Sequence, residues 1–257
     1  MFRRPGPRLG GRVPSEWSNT SLSHSNPQCT RALSLSSSLV NGLQPCKVNG
    51  TAVSQVRVFT NDSRSTFGFT GLVHGGPGGS WPQLRAGAHV VISFRGSIDD
   101  INYADNGDQV LIPYPREPAG GMVVRGFWNA YSSQRSAMLA NLMTLLRGGE
   151  PVKGVVITGH SLGAGQAVLA ALDLALTLPT SLTITMYTFG TPRVGDSVHA
   201  KRVRAATNLE TWVVSHRADA EPRYGDFQRP LSHVPHAYTT CHAPRDIPHS
   251  VLVLFGC

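Results

Sequence analysis

With 257 residues, 40% of them hydrophobic and only 15% charged, the chain can bury a sizeable core, and its length suits one α/β domain as well as two small ones; we read one. The formal charge of +8 and pI near 9.8 do not make it a nucleic-acid binder: much of the arginine excess lies at Arg3, Arg4, Arg8 and Arg12, with no basic helix or aromatic stacking stripe beside it. A low charged fraction fits an enzyme that works near lipid or apolar substrates.

Residues 1–28 are rich in Arg, Pro, Gly and Ser, with Glu16 the only acid and no apolar run long enough for a signal-peptide core or a membrane span. We expect them to form a disordered or targeting segment, with a single α/β domain over 29–257. A short helix is expected over 31–43, then strands over 55–60 and 66–73 joined by a turn at Asn61-Asp62-Ser63, an antiparallel entry to a sheet. A glycine- and proline-rich loop over 74–82 leads to HVVISF at 89–94, a further buried strand that ends in Arg95-Gly96-Ser97.

Residues 98–118 are acidic and turn-rich, and read as a flexible cover. Tyr131, Met138, Leu142 and Leu145 or Leu146 restore helical spacing over 127–146, and strands follow at 182–189 and 211–214. Strands alternating with helices predict a mostly parallel α/β sheet.

The centre of the chain is residues 153–178, KGVVITGHSLGAGQAVLAALDLALTL. Val155, Val156 and Ile157 form a run without polar alternation, as in a strand buried on both faces. A sharp turn with Gly159, Ser161 and Gly163 in G-x-S-x-G spacing follows, and then a long apolar helix. In this context the motif predicts a nucleophile elbow, whose strained serine leaves room only for hydrogen two residues to either side. The motif lacks the Gly-Lys-Ser/Thr ending of a phosphate loop.

A serine hydroxyl is a weak nucleophile until a histidine, oriented by a carboxylate, takes its proton. In α/β-hydrolases both partners follow the serine. The acids after Ser161 are Asp173, Asp196, Glu210, Asp219, Glu221, Asp226 and Asp246; the histidines are His199, His216, His233, His236, His242 and His249. Asp219 stands just past the strand ending at Val214, where the carboxyl edge of a parallel sheet meets its crevice. Leu162, first in the elbow helix, offers its N–H to an oxyanion.

From about Val53 onward the chain resembles the class 3 lipases, the fungal triacylglycerol lipase and feruloyl esterase family. Four blocks carry the resemblance: Ser93-Phe94-Arg95-Gly96-Ser97, Gly159-His160-Ser161-Leu162-Gly163, Tyr187-Thr188-Phe189-Gly190-Thr191-Pro192-Arg193-Val194-Gly195, and the stretch from Val213 through Asp219 and Pro222 to His233. The resemblance implies an α/β-hydrolase fold and a triad of Ser161, Asp219 and His249. It also implies an oxyanion hole of Leu162 and Ser97, with Asp105, or Asn102 before it, holding the Ser97 hydroxyl. The connection from acid to His249 is shorter than the family's usual one, and His233 matches a non-catalytic family histidine.

The implied activity is carboxylester hydrolysis, foremost of triacylglycerol through an acyl-enzyme. A feruloyl-type or short-chain esterase and an inactive lipid-binding homologue are the alternatives. Neither a cofactor nor a metal is expected, and the chain should act as a monomer on an acyl-ester lipid. The acids and asparagines of 98–108 argue for weak interfacial activation.

Cys29, Cys46, Cys241 and Cys257 have neither C-x-x-C spacing nor a histidine cluster beside them, which points away from zinc and towards disulfides, with Cys257 placed for Cys29 or Cys46. Sequons at Asn19, Asn49 and Asn61 also favour an oxidising compartment. A secreted protein is therefore expected, with organelle targeting by the basic N-terminus as the alternative.

Overall fold

The computed structural model describes residues 47–48, 51–77, 84–214 and 231–232. The short strands β1 (Lys47–Val48) and β2 (Thr51–Ala52) pair with each other. Then come β3 (Ser54–Asn61), β4 (Thr66–Gly75), β5 (Gly87–Phe94), helix α1 (Asp100–Gly107), β6 (Leu111–Pro113), β7 (Met122–Val124) and helix α2 (Arg125–Leu146). The second half runs β8 (Val152–His160), helix α3 (Leu162–Thr177), β9 (Thr183–Phe189), β10 (Gly195–Asp196), helix α4 (Ser197–Ala205), β11 (Leu209–Val214) and β12 (Leu231–Ser232).

Among the described residues the main sheet has six strands in the order β11-β9-β8-β5-β4-β3. The pairs β11/β9, β9/β8 and β8/β5 are parallel, while β4/β5 and β3/β4 are antiparallel. The expected antiparallel entry is therefore present, and its turn is a short 3-10 segment, Asp62–Arg64, capped by the Asn61 side chain. A smaller sheet, β12-β10-β7-β6, lies beside it.

Side chains alternate across a strand, and here both destinations are apolar. From β5, Val90, Ile92 and Phe94 enter the main core, and from β8, Val155 and Ile157 join them; Val91 and Val156 enter a second cluster with Val53, Phe69, Val73 and Leu84 on the opposite face. An apolar run without polar alternation is what such a strand requires. Helices α2 and α3 contribute Phe127, Tyr131, Met138, Leu142, Val168, Leu169 and Leu172 to the main core. Gly165 lets them approach closely, since a Cβ there would stand 3.2 Å from the Phe127 ring. No helix among the described residues is long and apolar enough to cross a membrane.

Residues 98–118 differ from the flexible cover expected of them. They contain helix α1, the β6–β7 hairpin begins in them, and the acids that suggested a loose segment are engaged. Asp99 caps α1 by accepting from Asn102 N–H at 3.0 Å and also accepts from the Ser65 hydroxyl; Asp105 accepts from Arg64 at 2.7 Å; Asp108 accepts from Arg125 at 2.8 and 2.9 Å. A chain rich in capping and ion-pairing side chains folds where basic partners and bare backbone groups lie within reach. The helix expected over 31–43, and all four cysteines, lie outside the described residues.

Candidate active site

Strand β8 ends at His160 and helix α3 begins at Leu162, so Ser161 alone makes the turn between them. Its backbone has φ +53° and ψ −123°, a conformation that side-chain-bearing residues rarely adopt. Hydrogen bonds hold it there. The Ser161 N–H donates to the Phe189 carbonyl at 3.1 Å, and the Ser161 carbonyl accepts from Ala164 and Gly165 N–H groups at 2.9 and 3.1 Å.

The flanking glycines are sterically required. A Cβ on Gly159 would lie 2.2 Å from the Gly163 carbonyl oxygen, and one on Gly163 would lie 2.3 Å from the Phe94 carbonyl oxygen. The second contact joins the elbow to the end of β5. Immediately beyond, a Cβ on Gly96 would meet the His160 carbonyl oxygen at 2.9 Å. The loop carrying Ser97 thus crosses against the residue before Ser161, which brings two of the sequence-predicted site residues to one edge of the sheet.

That edge is the carboxyl edge of the parallel strands. Phe94 of β5 pairs with Gly159 of β8, His160 with Phe189 of β9, and Phe189 with Val214 of β11. Leu162 heads α3 from the same edge, and its N–H, in the first turn, has no acceptor within the helix. The helix dipole places partial positive charge there.

The Ser97 hydroxyl accepts a hydrogen bond from Nδ2 of Asn106 at 2.9 Å. This differs from the expectation that Asp105 or Asn102 would hold it. Asp105 is buried and turned to the opposite side, where its Oδ1 accepts from Arg64. Burial raises the Asp105 pKa, and Arg64 only partly offsets this. Asn102 is buried too: its Oδ1 accepts from the Ile98 N–H at 3.2 Å, and its Nδ2 donates to the Arg64 and Ser65 carbonyls, both at 3.2 Å. The helix therefore presents Asn102 and Asp105 to the β3–β4 turn and Asn106 to Ser97. Arg64, Ser65 and Asn106 escaped the sequence reading; the Asp99 cap was the one signal that could have placed a helix here and so settled which side chain faces Ser97.

Arg95, beside the site, donates to the Ser65 carbonyl at 2.5 Å and stands 5.8 Å above the Phe67 ring. Burial lowers its pKa and Asp99 partly restores it. Ser65 itself has φ +47°, so the turn is held in a left-handed conformation by the groups that clasp it.

Several candidates for acid and base have other tasks. Asp173 is fully buried between Arg116, Arg135 and Tyr131. Asp196 caps α4 by accepting from the His199 N–H at 2.8 Å, and Glu210 is exposed on β11. The His199 ring is buried against Tyr114, with ring centroids 5.1 Å apart, and burial lowers its pKa to about 4, so it is neutral at pH 7. Asp219, His233 and His249 lie outside the described residues, as do the remaining acids and histidines of the C-terminal part.

Comparison with known proteins agrees with this geometry. A chloroplastic phospholipase A(1), DAD1, of Arabidopsis thaliana is 37% identical over 127 residues, which are 44% of this chain and 28% of that protein. A secreted mono- and diacylglycerol lipase A of Penicillium cyclopium is 31% identical over 135 residues, 52% of this chain and 42% of that one. The chain thus spans less than half the length of these curated relatives. The solved structure of Rhizomucor miehei triacylglyceride lipase superposes with a TM-score of 0.58 at 23% identity, covering 71% of this chain and 65% of that one, which shows the shared α/β-hydrolase fold. The family model for lipase (class 3) matches residues 91–228, more than half of the sequence and inclusive of Ser97, Asn106 and the elbow, and the chain belongs to the class 3 lipase family.

Proposed function

We propose that this protein is a serine carboxylester hydrolase that cleaves acylglycerol-type lipid esters through an acyl-enzyme, with Ser161 as nucleophile. The observation that carries the reading is Ser161 itself: a non-glycine residue at φ +53° between a buried strand and a buried helix, with glycines where any Cβ would collide. Such strain persists only where the surroundings enforce it.

In the proposed reaction the Ser161 Oγ attacks the acyl carbonyl carbon while His249 takes the hydroxyl proton. The carbonyl oxygen becomes an oxyanion facing the Leu162 N–H and Ser97. Collapse expels the alcohol, which leaves with that proton, and water then repeats the sequence to release the carboxylic acid. Asp219 fits the orienting acid because in sequence it follows β11 by a few residues, and β11 ends on the edge that carries Ser161, while Asp173 and Asp196 are otherwise engaged and Glu210 is exposed on β11. His199 is removed from the bases by its burial against Tyr114. Replacing His233, His236, His242 and His249 singly by alanine is expected to leave three active enzymes and one, His249→Ala, slowed by about 10³-fold or more. A dead His233→Ala or His236→Ala enzyme would overturn this triad.

For the substrate, both relatives are named for acyl-lipid hydrolysis, one as a phospholipase A(1) and one as a mono- and diacylglycerol lipase. One is named secreted and the other chloroplastic, and we favour secretion on the sequons and cysteines. Nitrophenyl esters of graded chain length, an emulsified triacylglycerol and methyl ferulate test the assignment directly: acyl-lipid esters should be turned over, with an organophosphonate labelling Ser161 and stopping the reaction. Labelling at another serine would refute the reading.

Interfacial activation should be weak. Helix α1 exposes Ile101 and Tyr103, yet its other side is tied to the β3–β4 turn through Asn102 and Asp105. A helix held by buried polar contacts does not swing freely towards lipid. Activity on a short soluble ester should rise only a few-fold as substrate passes its solubility limit; a large jump there would show that α1 moves.

A further inference from the structure

We propose that His199 is an acid-sensitive lock on the small sheet, and that protonating it releases β10 and, with β10, the hold of β12 on the C-terminal part of the chain. His199 is 1% exposed and takes no part in the proposed chemistry. Among the described residues neither Nδ1 nor Nε2 has a hydrogen-bond partner; the Gly120 backbone comes near without reaching that geometry. A neutral imidazole serves here as an aromatic filler, edge to face against the Tyr114 ring. An imidazolium does not: it brings two donors and a charge into a pocket with no acceptor set for them.

The charged groups around the ring are committed elsewhere. Asp196 uses its carboxylate to cap α4 through the His199 N–H at 2.8 Å. Glu117, before the 3-10 turn Pro118–Gly120, is bound by Arg202 of α4 at 2.6 and 3.2 Å. Tyr114 donates its hydroxyl to the Leu169 carbonyl, and Arg116 reaches Asp173 instead. Strands β7 and β12 bring no charged residue. His199 also lies in the first turn of α4, where the helix dipole opposes a cation. There is no slack around it: a Cβ on Gly121 would stand 2.4 Å from the His199 backbone nitrogen, and one on Gly195 would stand 3.1 Å from the ring. Burial pushes the His199 pKa down to about 4, which the Gly120 backbone, Asp196 and Glu117 offset only in part. A histidine whose folded pKa lies below its unfolded value, about 6.5, withdraws stability as pH falls from 6.5 towards 4. The least costly way to take the proton is to open the pocket at β10, which has two residues: Gly195 pairs with Val123 and Ser232, and Asp196 with Leu231. In sequence Asp219 lies between β11 and β12, and His249 beyond β12. The link from lock to activity therefore rests on the proposed triad; the lock itself does not.

The full chain is compared with His199→Phe and His199→Leu, which fill the pocket with side chains that take no proton; one folded variant is enough. In urea denaturation the unfolding constant of the parent should rise about 30-fold relative to either variant between pH 8 and pH 5. Backbone amide exchange, corrected for the intrinsic rate at each pH, shows where the change begins. At pH 5 the Val124 N–H, bound to the Val194 carbonyl, and the His199 N–H should lose protection in the parent and keep it in the variants, while β5 and β8 stay protected throughout. Turnover of a soluble nitrophenyl ester should fall more steeply in the parent over the same range and return at pH 7.5, since titration of the catalytic base is common to all three proteins and cancels in the ratio. Parent and variants that follow one another with pH in urea would overturn the lock. Protection lost evenly over both sheets would overturn it too, because the acid step would then be global. If urea and exchange behave as expected but the ratio of activities stays flat, the lock stands and its link to the proposed triad is overturned.

Discussion

Replacing Ser161 by glycine should end ester hydrolysis and at the same time raise the melting temperature. The activity loss follows from the proposed chemistry: without the hydroxyl there is no acyl-enzyme, and a fall in kcat of about 10⁴-fold or more is expected. The gain in stability follows from the backbone. At φ +53° and ψ −123° a serine is strained, at a cost of about 1–3 kcal/mol, whereas glycine occupies this region freely. Glycine also makes the unfolded chain more disordered, which takes back about 0.5–1 kcal/mol. A net gain of about 1 kcal/mol remains. Ser161→Ala keeps the strain and serves as the control: equally inactive, but melting close to the parent. Thermal denaturation of the three proteins, run beside turnover of a nitrophenyl ester, separates the two effects. A glycine variant that melts below the alanine variant would mean that the turn is not held under strain, and residual turnover would mean that another serine begins the reaction.

The parts of the fold that could be read from the sequence are those in which one physical demand dominates. Val155-Val156-Ile157 had to be a strand buried on both faces, and it feeds the main core with Val155 and Ile157 and the opposite cluster with Val156. The G-x-S-x-G spacing was legible for the same reason, since nothing larger than hydrogen fits at Gly159 and Gly163. Helix α1 was not legible. Its sequence, DINYADNG, has no apolar stripe, and its stability comes from a cap and from partners far along the chain such as Arg64 and Arg125. Composition shows that Asp99, Asp105 and Asp108 are acidic, but only folding brings their partners to them. The site suffered accordingly: the family blocks led to Ser97 and Ser161, while the support of Ser97 was expected from Asp105 or Asn102 and comes from Asn106. Helix α4 was missed although Asp196 caps it in the ordinary way. Its histidine, in a list of possible bases, could be set aside only once its ring was seen packed against Tyr114.

The largest loss of stability is expected from Asp173→Ala. Asp173 lies in α3, the helix that starts at Ser161, and its carboxylate has no exposure to solvent. It accepts from Arg116 at 2.7 Å, from Arg135 at 2.5 and 3.2 Å, and from the Tyr131 hydroxyl at 2.6 Å. Tyr131 and Arg135 belong to α2, so this one side chain joins the two helices that fill the main core. Removing it leaves a buried phenol and two guanidinium groups without their acceptor, and breaking a buried pair of this kind costs about 3–5 kcal/mol. Asp173→Asn, which keeps an acceptor but not the charge, should lose less. The effect also has a pH signature. Burial alone would raise the Asp173 pKa, but the hydrogen bonds from Arg135, Tyr131 and Arg116 outweigh it and hold the pKa below its ordinary value. An acid with a depressed folded pKa contributes stability that is present above its unfolded pKa, about 3.9, and is lost as pH falls through the folded value. The parent protein should therefore lose this contribution below about pH 4, and the difference in unfolding free energy between parent and Asp173→Ala, measured by urea denaturation, should be constant from pH 5 to 8 and shrink below it. A gap that does not shrink in acid would mean that Asp173 stabilises α3 by packing rather than by charge. If it does shrink, the seat of the helix that carries the proposed nucleophile is electrostatic, and acid should loosen the elbow from beneath.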